Sequence, residues 1–192
     1  MTHERMAAAS MKSDIDRVLY HRRDIAARVE ELGRAIARDL DGLEGHPSEI
    51  MLMPILTGSL VFVADLIRHL PQKLQIGVVS VSSYPGKSME SKGAALRSEI
   101  PENLEGRHVV IVDDILDSGG TIQLVQSIIE ERRPESVRTC VLLRKKRESA
   151  MKVRVDYVGF DIPDEFVVGY GLDYDDYYRN LPDIVTLRAE AL

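Results

Sequence analysis

Asp113, Asp114 and Asp117 put three carboxylates at the end of the apolar run Val109-Val110-Ile111-Val112 and directly before Ser118-Gly119-Gly120-Thr121. The apolar run reads as a buried strand, and in an open parallel sheet ligands bind just beyond the carboxyl ends of strands. Ser118 to Thr121 offers hydroxyls, glycine backbone and the unpaired N–H groups of a helix start, a combination suited to enclosing a phosphate. The three acids would repel a bare phosphate unless given other partners. Divalent cations or sugar hydroxyls would relieve two of them. The commonplace reading is that Asp113 and Asp114 end the strand and that Asp117 or Ser118 caps the next helix. Three acids so close together exceed what capping requires, so the segment is read as a binding site. No GxxxxGK[ST] loop, GxGxxG turn or G-x-S-x-G elbow occurs in the chain, which leaves an NTPase, a dinucleotide enzyme and a serine hydrolase unsupported.

Other residues carry chemistry only in context. Arg144 to Arg147 is a run of four basic residues, by itself a solvated cluster or a small nucleic-acid patch. Phe166 alone would be core, Asp173 a turn acid and Arg179 a surface charge. The five histidines lack metal-ligand spacing and are assigned no role.

The elements that must position these residues follow from periodicity. Ile25, Val29, Leu32, Ile36 and Leu40 recur at helical spacing between Tyr20 and Leu40, predicting a one-sided surface helix. Ile50 to Leu56 is a strand ending at Gly58, and Ser59 to Leu70 a helix. Further strands are predicted at Leu74 to Ser83, His108 to Asp113, Val137 to Leu143, Val155 to Ile162 and Phe166 to Tyr170, with a helix over Thr121 to Arg132. Strands apolar on both faces alternating with helices give an α/β fold with a parallel sheet flanked by helices. Tyr84 to Arg107, rich in Gly, Pro and Ser, breaks this rhythm and reads as a lid over a site.

Length and charge bound the rest. The 192 residues fit one domain, here 13–192, preceded by a flexible tail over 1–12. A net charge of −6 and a pI near 5.4 argue against broad nucleic-acid binding. A single cysteine, Cys140, excludes an internal disulfide and fits a reducing compartment. With no apolar run of spanning length and no apolar leader, the expectation is a cytoplasmic protein without membrane contact.

The stretch from Val109 to Thr121 resembles the 5-phosphoribosyl diphosphate (PRPP) signature of type I phosphoribosyltransferases. Leu56-Thr57-Gly58-Ser59, Ser83-Tyr84, Lys145 and the run Ile162 to Tyr174 extend the resemblance to the hypoxanthine-guanine branch, over about Tyr20 to Pro182. The resemblance implies a small hood made from the terminal segments, a magnesium cofactor, and PRPP and a 6-oxopurine as substrates. Asp113 and Asp114 then face the ribose hydroxyls, Ser118, Gly119, Gly120 and Thr121 hold the 5′-phosphate, and Asp117 takes the proton from purine N7. Lys145 donates to the 6-oxo group, Phe166 stacks on the base and the Val167 backbone meets its edge. Asp173 joins Asp113 and Asp114 at magnesium, Thr57, Gly58 and Arg179 meet the diphosphate, and Ser83 and Tyr84 open the lid. Relatives form homodimers or homotetramers.

One departure stands out: the family usually carries Lys or Arg where this chain has Thr57. The resemblance also implies a cis peptide there, so that loop N–H groups face the diphosphate. Rival readings are a phosphoribosyltransferase for another base and an RNA-binding regulator on the same fold. Asp117, Lys145 and Phe166 argue against the first, and the net charge against the second.

Overall fold

The computed structural model describes residues 11–43, 49–82, 95–96 and 100–192. The elements in chain order are α1 (Met11–Asp14), β1 (Ile15–Tyr20), α2 (Arg22–Asp41), β2 (Ile50–Leu56), α3 (Leu60–Leu66), β3 (Gln75–Ile76), β4 (Val79–Ser82), β5 (Ala95–Leu96), β6 (His108–Leu116), α4 (Gly120–Glu130), β7 (Ser136–Lys145), α5 (Glu148–Met151), β8 (Tyr157–Ile162) and β9 (Ile184–Leu187). The central sheet runs β5-β4-β2-β6-β7-β8, with β3 also beside β2. All pairings in it are parallel except β4 with β5 at the edge.

Alternation along the central strands sorts their side chains onto two cores. Leu52, Val110, Val112 and Leu142 pack with Ile25, Val29 and Ile36 of α2 and Phe62 of α3. Met51, Met53, Val109 and Ile111 pack on the other face with Ile122, Val125 and Ile129 of α4. Ile25, Val29 and Ile36 are fully buried, each contributing roughly 1.5–3 kcal/mol, which is why the stripe of α2 fixes its docking. After β2 the chain turns toward β3 and β4, whereas β6 lies on the other side of β2. The crevice between the ends of β2 and β6 is therefore the point where strand order reverses, the favoured ligand position in such sheets.

The terminal segments pair as β1 and β9 in a separate antiparallel sheet. Val168, Leu181, Val185 and Leu187 form a third small core beneath it, the hood expected from the resemblance.

Several boundaries differ from expectation. Tyr20 closes β1, and the helix begins at Arg22. The strand predicted over Leu74 to Ser83 is broken into β3 and β4, with the Gly77 N–H turned to the Leu52 carbonyl. β6 continues past Asp113 to Leu116 because Ile115 and Leu116 remain paired with Leu143 and Arg144 of β7. Phe166 to Tyr170 is not a strand: only the isolated Val168–Val185 and Gly169–Leu172 bridges form, and Gly169, Tyr170 and Gly171 all take left-handed backbone. Within the span read as a lid, Ala95–Leu96 pairs with β4, while Ile100 and Leu104 are buried in the α4-side core. Ser83, Tyr84, most of that span and most of the predicted tail lie outside the described residues.

Candidate active site

Thr57, Gly58, Asp113, Asp114, Asp117, Thr121, Asp173 and Arg179 line one cavity of about 540 Å³ at the strand-order reversal. β2 supplies its first wall. The Leu56–Thr57 peptide is cis, as the resemblance implied, and Thr57 is exposed. Gly58 packs so tightly on Asp114 that a β-carbon at residue 58 would lie 1.8 Å from Asp114 Oδ2. A side chain there is incompatible with the observed carboxylate.

β6 supplies the acids. Asp113 is buried, its Oδ1 accepting the Asp114 N–H at 3.1 Å, while Asp114 Oδ1 accepts the Ile115 N–H at 2.9 Å. Burial raises the proton affinity of Asp114 above the ordinary carboxylate range. Burial and the neighbouring Asp114 charge raise that of Asp113 well above it. Two such acids side by side are a cation- or hydroxyl-seeking pair.

The turn into α4 differs from the capping alternative. Neither Asp117 nor Ser118 caps the helix: the N-cap is Gly119, at φ 98°, with no side-chain cap and no acid in the first turn. A β-carbon on Gly119 would also stand 2.3 Å from Val153 Cγ2. The first-turn amides thus keep the partial positive charge that attracts anions. Ser118, Gly119 and Thr121 line an adjoining hollow of about 250 Å³, together with Asp113, Asp117 and Arg147.

The basic run splits by position. Arg144 pairs with Asp161 across β7 and β8, its Nε at 2.6 Å from Oδ1. Lys145, the last residue of β7, is buried, and its Nζ donates to Asp117 Oδ2 at 2.9 Å. Lys146 is exposed. Arg147 turns back to the site, its Nη1 at 2.8 Å from Asp117 Oδ1 and its Nε at 2.5 Å from Asp164 Oδ2. Asp164 also lies 3.6 Å from Lys145 Nζ, and the Arg147 guanidinium holds its carboxyl below the ordinary range. Arg147 and Asp164 escaped the sequence reading. The available signal was alternation, since residues 145 and 147 share a side of an extended chain.

On the hood side, Arg179 Nη1 donates to the Gly171 carbonyl at 2.9 Å, and its Nη2 lies 2.9 Å from both Asp173 and Asp176. Asp175, Asp176 and Tyr178, left-handed non-glycine residues, crowd the same turn. Phe166 is 45% exposed and meets Tyr174 edge-on at 5.5 Å, so it is not core. It lines neither cavity above but a separate hollow beside Arg17, Thr186 and Leu187. Val167 is buried in the α2-side core. Among the described residues no group of three or more His, Cys, Asp or Glu side chains is placed to hold a metal by itself, and no helix is long and apolar enough to cross a membrane.

Comparison with known proteins agrees with this geometry. The phosphoribosyl transferase domain family matches residues 19–175. A hypoxanthine-guanine phosphoribosyltransferase of Mycobacterium avium is 41% identical over 175 residues, covering 91% of this chain and 86% of the relative. A Staphylococcus aureus hypoxanthine phosphoribosyltransferase structure superposes with a TM-score of 0.85 at 36% identity, covering 96% and 98% of the two chains. A Trypanosoma cruzi hypoxanthine phosphoribosyl transferase gives 0.82 at 37%, covering 92% and 93%. With a cis Leu56–Thr57 turn, paired acids on β6 and an uncapped helix start at one crevice, the chain belongs to the phosphoribosyltransferase family, in its hypoxanthine-guanine branch.

Proposed function

We propose that the protein transfers the 5-phosphoribosyl group of PRPP to N9 of a 6-oxopurine, hypoxanthine, guanine or xanthine, forming a nucleoside monophosphate and diphosphate in purine salvage. The observation that carries this reading is the side-by-side placement of a buried ammonium and a carboxylate, Lys145 Nζ and Asp117 Oδ2 at 2.9 Å. A 6-oxopurine presents the matching edge: an oxygen acceptor at C6 beside the N7 position, whose proton must leave. Adenine places a donor amine where Lys145 also donates.

In the reaction the C1–O bond of PRPP breaks with its electron pair leaving on diphosphate, and N9 forms the new bond to C1. Asp117 accepts the N7 proton as that nitrogen becomes acidic. Positive charge on the ribose ring develops beside Asp113 and Asp114, and the Arg179 guanidinium and the N–H groups near Thr57 and Gly58 face the departing diphosphate. Ser118, Gly119, Gly120 and Thr121 hold the 5′-phosphate at the start of α4.

Magnesium fits these residues. It is commonly bound by one or two carboxylates together with substrate phosphates rather than by an all-protein cage, and Asp113, Asp114 and Asp173 face the same cavity. Asp113 and Asp114, whose charges burial disfavours, gain most from a cation. The chemistry such an ion supplies when bound is neutralisation of charge on the leaving diphosphate. Phe166 offers an exposed aromatic face for the base, with the Val167 backbone at its edge, and a lid based at Ser83 and Tyr84 excludes water from the cationic ribose. The protein works in the cytoplasm as a homodimer or homotetramer, without nucleic acid: Arg144, Lys145 and Arg147 are each paired with acids, so the basic run presents no continuous cationic patch.

The test is an assay of the purified protein with PRPP, magnesium and each of hypoxanthine, guanine, xanthine, adenine and uracil. Nucleotide is expected from the 6-oxopurines. Product from adenine or uracil alone overturns the reading.

A further inference from the structure

The Asp117–Arg147 contact is close but unsettled. Arg147 Nη1 lies 2.8 Å from Asp117 Oδ1 and its Nε 2.5 Å from Asp164 Oδ2, yet neither Asp117 Oδ1 nor Arg147 Nε, both buried atoms, is in an aligned hydrogen bond. The other oxygen of Asp117 is in a well-formed hydrogen bond to Lys145. Both oxygens of the proposed base are thus held by cations, one firmly and one poorly. With side chains 41% and 46% exposed, this ion pair is worth little, so Arg147 gives it up readily for a better partner.

Mobility separates the two cations. Lys145 is 7% exposed along its side chain, whereas Arg147 is 41% exposed and lines the 250 Å³ hollow. Within the lining of that hollow Arg147 is the one basic residue, among the described residues. Ser118, Gly119 and Thr121 bring no formal charge, while Asp113 and Asp117 bring negative charge that opposes an incoming phosphate. A planar guanidinium is the side chain best matched to bidentate contact with phosphate oxygens.

We propose that Arg147 is a phosphate-binding residue that changes partners: it rests on Asp117 and Asp164 in the free protein and moves to the 5′-phosphate of PRPP or of the product nucleotide, freeing Asp117 Oδ1 for purine N7. The inference rests on the phosphoribosyl-transfer reading above and adds to it a link between the two halves of the site. Phosphate in the hollow removes the competing cation from the base, so occupancy at one end readies the other. The gain for phosphate is one charge-assisted contact, on the order of 10- to 100-fold in affinity.

The experiment compares binding of inosine 5′-monophosphate and of inosine, by calorimetry, to the parent protein, Arg147→Ala and Arg147→Lys, with thermal melting to establish that each variant is folded. Arg147→Ala is expected to weaken the monophosphate about 10- to 100-fold, while inosine, which has no phosphate to meet the guanidinium, keeps its parent affinity within a few-fold. Arg147→Lys, a point charge without the planar fork, recovers part of the loss. Equal weakening of both ligands assigns Arg147 a merely structural role at the base end and overturns the proposal, as does an unchanged affinity for the monophosphate. A parent protein that fails to bind the monophosphate at all defeats the underlying phosphoribosyl-transfer reading instead, and the Arg147 assignment falls with it. If Arg147→Ala does not fold, Arg147→Gln, close in size and neutral, takes its place with the same expected outcomes.

Discussion

Gly58 and Asp114 meet across the crevice between β2 and β6 with no space for a single carbon atom, the gap to Asp114 Oδ2 being 1.8 Å from where a β-carbon would stand. The same glycine is gripped from the hood side, because a β-carbon on Gly171 would lie 2.3 Å from the Gly58 carbonyl oxygen. Three segments distant in sequence therefore hold the Asp114 carboxylate in one place: the end of β2, the end of β6 and the turn that carries Arg179.

Gly58→Ala must displace Asp114, the β2 turn, or both. A displacement near 1 Å at a substrate-positioning group costs on the order of 100-fold in rate. We expect kcat/KM for hypoxanthine to fall by at least about that factor, with a lower Tm, in steady-state assays and thermal melts. Full activity in the variant refutes the close contact.

The Asp113–Asp114 pair gives a pH-dependent prediction. Asp113 has a folded-state proton affinity well above that of the unfolded chain, so ionising it costs the folded state more than the unfolded one: the stability it contributes is present in acid, below the unfolded-chain value, and is lost as pH rises through its folded-state value. Asp113→Asn removes that charge and keeps an oxygen to accept the Asp114 N–H. Without substrate, the variant is expected to be more stable than the parent at neutral pH by roughly 1 kcal/mol, about 2–4 °C in Tm. The advantage shrinks as the pH is lowered toward the ordinary carboxylate range, while turnover is reduced. A parent more stable than the variant at pH 7 rules out the burial argument.

Asp117→Asn separates base from cradle. The amide keeps an oxygen for Lys145 Nζ but cannot take a proton from N7. The expected result is a fall in kcat of about 100- to 10,000-fold, with binding of inosine 5′-monophosphate retained within a few-fold. Unimpaired turnover removes Asp117 as the base.

How much of this was legible in the sequence depended on the residue. The helix α2 and the strand β2 follow from apolar periodicity, and the acid-glycine segment stands out because three charges follow a fully apolar strand. That β6 runs on past Asp113 through Asp114 to Leu116 was hidden, since Asp is a poor strand former; eight register pairs to β7, from His108 through Leu116, override that preference. The reverse happened at Phe166 to Tyr170, where apolar residues read as a strand but left-handed backbone at Gly169, Tyr170 and Gly171 turns the segment into a clasp under β9. The four basic residues from Arg144 were indistinguishable by composition. Only the end of β7 and the turn into α5 separate the buried Lys145 from the outward Arg144 and the returning Arg147.

Lys145 yields the sharpest specificity prediction. Its ammonium is buried, 2.9 Å from Asp117 and 3.6 Å from Asp164, so two acids compensate its charge. A site built to donate to a particular substrate oxygen discriminates strongly against an analogue that presents a donor there instead. Lys145→Met keeps the stem volume and removes that donor. The rate constant kcat/KM for hypoxanthine is expected to drop by about 100-fold or more. Adenine, which gained nothing from the ammonium, changes far less, so the hypoxanthine-to-adenine ratio collapses. Arg147 remains on Asp117 and Asp164 in this variant, which limits the loss of stability and lets the kinetic effect be measured on folded protein. A Lys145→Met protein that keeps the parent's hypoxanthine-to-adenine ratio places the recognition of the 6-oxo group elsewhere in the crevice.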